Sequence, residues 1–298
     1  MLELKGKYCK DCKIFTDNIE SGALSLVYQF MDSPMFEGAK IRIMPDVHEG
    51  KDIVIGFTVP FTDHVNPDHV GGDIGCSVST AITDLPINAE DYPAIERLIR
   101  EKVMFGMTIH QKSVYPHSEL YKHLQTRLQQ ARQQWPEMVS MMDVSEKGIT
   151  AFMKRIEQTE HMFYHSIGTV GGGNHFIEAD RDEEGNLYIV VHSGSRHAGL
   201  EIADYYQEMA WKQMNGKTKA DIEALIASLK AEGRETEISS KKAEMEAQIN
   251  TQIPKDLAYV SGYLFDDYIN DMRIMQHFAM LNRKAMVNSI SIGLHLKK

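Results

Sequence analysis

Cysteine, basic residues and long apolar segments are all scarce in this 298-residue sequence. The three cysteines, Cys9, Cys12 and Cys76, are odd in number and suggest no disulfide framework, which indicates a reducing compartment. No apolar run approaches the roughly 18 residues that a membrane-spanning helix needs, and residues 1–5 lack the apolar core of a signal peptide. We therefore expect a cytoplasmic protein with no membrane partner.

Positive charge is outweighed by negative charge, with 32 basic and 42 acidic side chains and a net charge of −10. Phosphate backbones are bound by lysine and arginine, so nucleic-acid-binding domains are usually basic. The balance counts against general nucleic-acid binding but allows one local basic groove. Residues 117–135, with His117, Lys122, His123, Arg127 and Arg132, are the candidate for it, and a merely solvated helix face is the alternative.

The first two cysteines form a C-x-x-C pair, Cys9-Lys10-Asp11-Cys12. A structural zinc site would need a second pair, or two histidines, at a suitable spacing, and none follows nearby. A thioredoxin-like motif would need a βαβ context, which the pattern does not suggest. The pair is therefore interpreted as core packing.

A glycine-rich stretch at residues 71–76, Gly-Gly-Asp-Ile-Gly-Cys, organises the rest of the chain. Its glycines allow backbone angles that other residues avoid, so the loop can close tightly around a small charged group. Asp73 and Cys76 can then turn toward one point, where their oxygen and sulfur donors suit a divalent transition metal. The alternative is a tight turn with a buried cysteine.

Two later stretches favour the metal site. Residues 171–175, Gly-Gly-Gly-Asn-His, repeat the glycine loop, and His192 ends an apolar run before Ser193-Gly194-Ser195-Arg196. The glycine run can form an anion-binding nest, although neither a P-loop nor a dinucleotide fingerprint follows it. The candidate metal ligands are Asp73, Cys76, His175 and His192.

Five ordered motifs resemble the RtcB family of RNA ligases. They are residues 44–50 (MPDVHEG), 71–76 (GGDIGC), 173–178 (GNHFIE), 192–196 (HSGSR) and 279–283 (AMLNR). The family joins an RNA 3′-phosphate or 2′,3′-cyclic phosphate end to a 5′-hydroxyl end, in RNA repair or tRNA splicing. The resemblance implies a manganese- and GTP-dependent enzyme whose partner is RNA with broken ends.

The resemblance also implies roles for individual residues. One Mn²⁺ would use Cys76, His175 and His192, and a second would use Asp73 and Cys76 with a further histidine. The guanine nucleotide would contact the segment after the second glycine loop, and Arg196 would grip a phosphate. The expected nucleotide-binding residues are Asn174, His175, Phe176, Ile177, Glu178 and Arg196. Asp46 and His48 are expected beside the active centre.

The chain departs from the family toward its C-terminus. No match is found for the further metal-binding histidine or for the histidine that takes GMP and passes it to RNA. We therefore expect a chain incomplete at its C-terminus and impaired as a ligase, with the catalytic histidine unassigned. The alternatives are a non-catalytic metal- or RNA-binding remnant and, less favoured, a metal-dependent phosphoesterase.

The fold class expected is α+β, as one RtcB-like domain over residues 1–298 whose mixed sheet carries the site loops. Apolar alternation predicts strands at 41–44, 53–61, 77–83 and 187–191, a turn at 45–50 begun by Pro45, and a hairpin at Gly185-Asn186. Helical patterns are predicted at 17–31, 88–99, 117–135, 143–162 and 258–286. A helical arm is predicted at 199–252, with breaks near Gly216 and Gly233.

Overall fold

The fold combines helices and strands, which confirms the α+β class. The computed structural model describes residues 1–50, 53–61, 63–115, 122, 125–126, 129, 146–215, 219–246 and 253–295. The chain divides into two compact units. The first contains Met1–Val70 and Tyr206–Asp266, and the second contains Gly71–Tyr205 and Asp267–Lys298. In the part of the chain described, no helix is long and apolar enough to cross a membrane.

The first unit is built on a four-stranded sheet of β1 (Leu2–Leu4), β2 (Asp11–Ile14), β3 (Lys40–Glu49) and β4 (Val54–Thr58), in that order. The β2–β3 pair is parallel, because α1 (Ser21–Met31) lies between them in the chain, and the other pairs are antiparallel. The core of this unit packs side chains of α1 against the sheet.

Both N-terminal cysteines belong to that core. Cys9 and Cys12 are buried among its apolar side chains, and the Cys9 thiol donates to the Ala39 carbonyl at 3.4 Å. Burial raises the pKa of the Cys12 thiol to about 12, which keeps it protonated and unreactive. This placement agrees with the packing interpretation of the pair.

The predicted turn at residues 45–50 is wrong, because β3 continues through Pro45 to Glu49. The pairing of β3 with β4 changes register between Ile43 and His48. Proline has no N–H to give to a ladder, and such an irregularity is where a strand tolerates it. The helix predicted at 17–31 also begins later, at Ser21.

The remainder of the first unit is largely helical. The predicted arm corresponds to α6 (Arg196–Asn215), which begins in the second unit and belongs to the first from Tyr206 onward, and to α7 (Lys219–Ala231) and α8 (Ile238–Glu246). Gly233 breaks the helices as predicted, with a positive φ of 70°, whereas Gly216 lies outside the described residues. Two short strands, β5 (His64–Val65) and β9 (Val260–Ser261), pair beside the short helix α2 (Pro67–Val70).

The second unit centres on an antiparallel sheet with the order β6-β8-β7. Its strands are β6 (Ser77–Pro86), β7 (Phe176–Arg181) and β8 (Asn186–Ser193). The last two form the hairpin predicted at Gly185-Asn186. Alternate residues of β8, Leu187, Ile189 and Val191, are buried, so one sheet face forms the core of this unit.

Helices cover that core face. The core includes side chains from α3 (Tyr92–Lys102) and from α9 (Tyr263–Gly293). The predicted segment at 143–162 contains two helices, α4 (Glu146–Arg155) and α5 (Glu160–His165). The predicted basic helix at 117–135 falls almost entirely outside the described residues. The long helix predicted from residue 258 begins only at Tyr263 and extends to Gly293.

One side chain of α9 holds two loops of the second unit in place. The fully buried Asn282 accepts from the Gly168 and Thr169 N–H groups at 2.7 and 3.1 Å. Its amide nitrogen, which has two N–H donors, lies 3.1 Å from each of three acceptors, the Thr169 carbonyl, the Ser193 hydroxyl and the Gly194 carbonyl. Leaving such buried backbone groups without partners is costly.

The substitution Asn282→Ala should therefore strongly destabilise the protein. It leaves two buried N–H donors and several acceptors unpaired, and we expect the free energy of unfolding to fall by about 3 kcal/mol. Urea unfolding followed by circular dichroism measures this. Asn288→Ala is the matched control on the same helix, since Asn288 is only partly buried and its hydrogen bond to the Tyr115 hydroxyl is long, at 3.5 Å. Equal effects of the two substitutions would contradict the role of Asn282.

Candidate metal centre

Sheet register brings three of the predicted ligands together. His192 lies on the central strand β8, where it is paired with Val78 of β6 on one side and Phe176 of β7 on the other. Cys76 immediately precedes β6, and His175 immediately precedes β7. Because β6 and β7 flank β8, Cys76 and His175 lie on either side of His192, which is near the end of β8.

The donor atoms of this cluster are close enough to share one ion. The Sγ atom of Cys76 lies 2.9 Å from Nε2 of His192 and 3.5 Å from Nε2 of His175. All three donor atoms lie within 4.8 Å of one another. Ligands bound to one small cation at about 2.0–2.3 Å with tetrahedral angles would be separated by about 3.5 Å. The three residues therefore fit one divalent transition metal after a small adjustment of His192.

Hydrogen bonding orients the His175 ring for this role. Its Nδ1 lies 3.0 Å from the Val170 carbonyl, which can only accept, so Nδ1 carries the proton. In the neutral ring the Nε2 lone pair is then available on the side of Cys76. The same Val170 carbonyl accepts from the Ser193 hydroxyl at 2.7 Å. Partners of this kind commonly fix the tautomer and orientation of histidines that bind metals.

Asp73, the fourth predicted ligand, lies against the cluster. Its Oδ2 is 2.6 Å from Nε2 of His175, and its Oδ1 accepts the Ser195 backbone N–H at 3.2 Å. A carboxylate oxygen and an unprotonated ring nitrogen repel at this distance, so a proton or a cation must accompany them. Gly194 is needed beside it, because a Cβ there would lie 1.9 Å from Asp73 Oδ1.

The Cys76 thiol needs a cation to ionise near neutral pH. Burial raises the pKa of this thiol to about 12, and the hydrogen bond and negative charge of Asp73 act in the same direction. A divalent metal replaces the thiol proton and reverses this preference. The arrangement therefore suits a metal-binding thiolate rather than a free nucleophile.

Arg196 lies next to the cluster with a left-handed backbone angle, φ 58°. Its Nε donates to the Thr169 hydroxyl at 3.0 Å and its Nη2 to the Gly106 carbonyl at 2.9 Å. The third nitrogen packs over Gly171, where a Cβ would lie only 1.8 Å from Nη1. Burial lowers the pKa of this guanidinium while Asp73 opposes the effect, and arginine stays charged. The phosphate grip predicted for Arg196 would use the donors that remain.

The other predicted nucleotide-binding residues occupy different places. Asn174 is exposed beside His175. Phe176 and Glu178 share the open face of the sheet with His192, and the Phe176 and His192 ring centroids are 5.1 Å apart. Ile177 points the other way and packs against the core, so only its backbone is left for a ligand.

Asp46 and His48 belong to the first unit, on β3. Nδ1 of His48 lies 2.8 Å from the Asp46 carbonyl, and both residues are exposed. Their predicted position beside the active centre stays a prediction.

Sequence reasoning gave no role to Asn282 and Arg283. Arg283 donates to the carbonyls of Gly75 and Ser193 at 2.9 and 2.8 Å, and to the Ser79 hydroxyl at 3.0 Å. It therefore fixes the backbone immediately before Cys76 and immediately after His192. The signal that could have indicated this is a polar Asn-Arg pair inside an otherwise apolar helical segment.

A cavity of about 670 Å³ adjoins the metal cluster within the second unit. One part of its wall is polar and includes Asp73, Asn174, His175 and Arg196. Another part is apolar and includes Met107, Ile109 and Met162. A cavity with a few polar groups and a mainly apolar lining is typical of a small-molecule site.

Replacing Cys76 should remove the metal. The purified chain is expected to hold a divalent transition metal after dialysis. Cys76→Ala should weaken the affinity for this metal by about 100-fold or more, because loss of a group that only hydrogen-bonds a metal ligand already costs about 10–100-fold. Elemental analysis and competition with a chelating dye measure this. His161→Ala, which removes an exposed histidine of α5, is the control. An unchanged metal content in Cys76→Ala would contradict the assignment.

Comparison with known proteins identifies a matching family. Residues 29–295 match the family model described as tRNA-splicing ligase RtcB. The chain is 31% identical over 262 residues to the RNA-splicing ligase RtcB of Escherichia coli (strain K12), an alignment that covers 85% of this chain and 53% of that protein. It is 27% identical over 190 residues to the tRNA-splicing ligase RtcB of Aeropyrum pernix, covering 55% of this chain and 39% of the relative.

The chain therefore spans about half the length of the Escherichia coli relative that it matches. The family model nevertheless includes each of the converging residues, Asp73, Cys76, His175 and His192. A match of this extent, together with the relatives, shows that this chain belongs to the RtcB family.

Proposed function

We propose that this chain provides the metal- and nucleotide-binding part of an RNA ligase that joins 3′-phosphate or 2′,3′-cyclic phosphate ends to 5′-hydroxyl ends. The observation that carries the proposal is the convergence of Cys76, His175 and His192 from three separate motifs onto one point. The names of the relatives, RNA-splicing and tRNA-splicing ligase, support RNA as the substrate.

Manganese is the metal proposed, with GTP as the nucleotide, and both follow from the family resemblance. The donor set is compatible with manganese, since thiolate, imidazole and carboxylate can all bind a divalent first-row metal. Asp73 contacts both His175 and Cys76. Asp73 and Cys76 would be the residues of this chain that hold a second cation. When bound, the metal would neutralise charge on the phosphates and align the reacting groups.

The residues of the chain would bind and orient the phosphates around that centre. Arg196 offers a positive charge whose position is fixed by Thr169 and Gly106. Gly172 and Gly173 have open space where a Cβ would be, so a phosphate oxygen can approach their backbone N–H groups. The Nδ1–H bond to Val170 keeps the His175 ring from rotating away.

The guanine nucleotide is proposed to contact the open sheet face. Phe176 offers a ring for stacking, and its neighbour on the same face, Glu178, is exposed. A carboxylate accepts hydrogen bonds only, which suits the N1–H and amino donors of guanine. Asn174 would hydrogen-bond the nucleotide phosphates at the edge nearest His175.

The proposed function predicts selective binding of a phosphate-terminated RNA. With manganese, the chain should bind a short RNA with a 3′-phosphate at least about tenfold more tightly than the same RNA with a 3′-hydroxyl, a difference of about 1.4 kcal/mol. His192→Ala should abolish the preference, and His161→Ala should keep it. Fluorescence anisotropy at fixed salt measures the affinities. Equal binding of both RNAs by the unaltered chain would count against the proposal.

Labelling with radioactive GMP tests the catalytic step separately. No histidine of this chain matches the family residue that takes GMP, so we expect metal and RNA binding without a stable adduct. A labelled peptide would contradict this expectation and identify a nucleophile within the chain. Cleavage of a 2′,3′-cyclic phosphate without GTP would instead indicate a phosphoesterase.

A further inference from the structure

The apolar wall of the cavity is unusually exposed. Met107 is 89% exposed and Met162 is 41% exposed, although both are large apolar side chains. They come from different segments, since Met107 follows α3 and Met162 lies on α5. Leu200 of α6, 46% exposed, completes the rim. Exposed apolar side chains grouped in this way around a cavity indicate a surface that binds a ligand.

The polar wall selects for a phosphate. Arg196 supplies positive charge, and Asp73 and His175 belong to the proposed cation site. The apolar part of the lining, Met107, Ile109 and Met162, offers no charge. A ligand matched to both walls is an anion at one end and a flat or apolar body at the other.

The proposed guanine site does not account for this cavity. Phe176 and Glu178 lie on the open face of the sheet and are not among the residues that line the cavity. Asn174 and His175 do line it, so the two regions meet at the metal cluster. The cluster therefore has a nucleotide surface on one side and a second, separate space on the other.

We propose that this cavity holds the terminal nucleoside of the phosphate-bearing RNA end, and this rests on the proposed function above. The terminal phosphate would face His175 and Arg196, and the base would lie against Met107 and Met162. A volume of about 670 Å³ is within the range of 300–1,000 Å³ typical of small-molecule sites. In this proposal GTP and RNA bind at two different places next to the cluster.

The wall chemistry also predicts how selective the subsite is. Methionine is unbranched and polarisable, so it adapts to rings of different shape. Contact through base faces tolerates any base. We therefore expect all four terminal bases to bind with similar affinity.

Removal of the base is the direct test. The probes are a short 3′-phosphate RNA and the same RNA with an abasic terminal residue, each bound to the manganese-loaded chain. The unaltered chain should bind the abasic RNA about tenfold more weakly. The double variant Met107→Ala/Met162→Ala should bind the complete RNA about tenfold more weakly and should no longer distinguish the two RNAs. Ile292→Ala, which removes an exposed apolar side chain of α9, should behave as the unaltered chain.

The affinity for GTP distinguishes this proposal from the alternative that the cavity binds the guanine nucleotide. The double variant should bind GTP normally, whereas Phe176→Ala should weaken GTP and leave the preference for the terminal base unchanged. A loss of GTP affinity in the double variant would assign the cavity to the guanine nucleotide and overturn the inference. RNA binding that depends on His192 but not on the terminal base would overturn it while leaving the proposed function intact. If no 3′-phosphate RNA binds, both fail.

Discussion

The candidate metal centre is held in place by two adjacent side chains of α9, Asn282 and Arg283. Glycine loops have no regular structure of their own, so their backbone N–H and C=O groups need other partners when buried. Asn282 serves the loops at Gly168 and Gly194, and Arg283 serves the carbonyl of Gly75. One helix thus fixes the segments that carry all the candidate ligands. These hydrogen bonds hold the loops together and so keep Cys76, His175 and His192 close to one another.

Electrostatics then determine what the converging groups can hold. Asp73, Cys76 and His175 place a carboxylate, a thiol and a ring nitrogen in a small volume, where a thiolate is unfavourable unless further positive charge is present. Arg283 and Arg196 interact with this group, and burial lowers the pKa of each guanidinium. Several of their donors are nevertheless engaged with protein oxygens. The arginines therefore moderate the negative charge, while the space between the donor atoms suits a small cation.

The sequence was sufficient to identify the candidate ligands but not their arrangement. Residue chemistry, glycine spacing and ordered motifs indicated Asp73, Cys76, His175 and His192, and the hairpin at Gly185 followed from local turn preferences. Convergence depends on register across β6, β8 and β7, which is a long-range property that local pattern does not determine.

The failures have local physical causes. Proline usually ends a strand, but in β3 a register shift accommodates Pro45. The nucleotide contact expected of Ile177 stays a prediction; strand alternation in the paired β7 directs its side chain to the core. The supporting role of Asn282 was hidden because its partners are more than 80 residues away in the chain.

The central claim is that one metal ion is held by sulfur from Cys76 and nitrogen from His175 and His192. X-ray absorption spectroscopy of the manganese-loaded chain tests it directly, since sulfur and nitrogen scatter differently at different distances. The account predicts one sulfur and two imidazole nitrogens in the first coordination shell, with the sulfur lost in Cys76→Ser. A shell of oxygen and nitrogen alone, unchanged by that substitution, would contradict it.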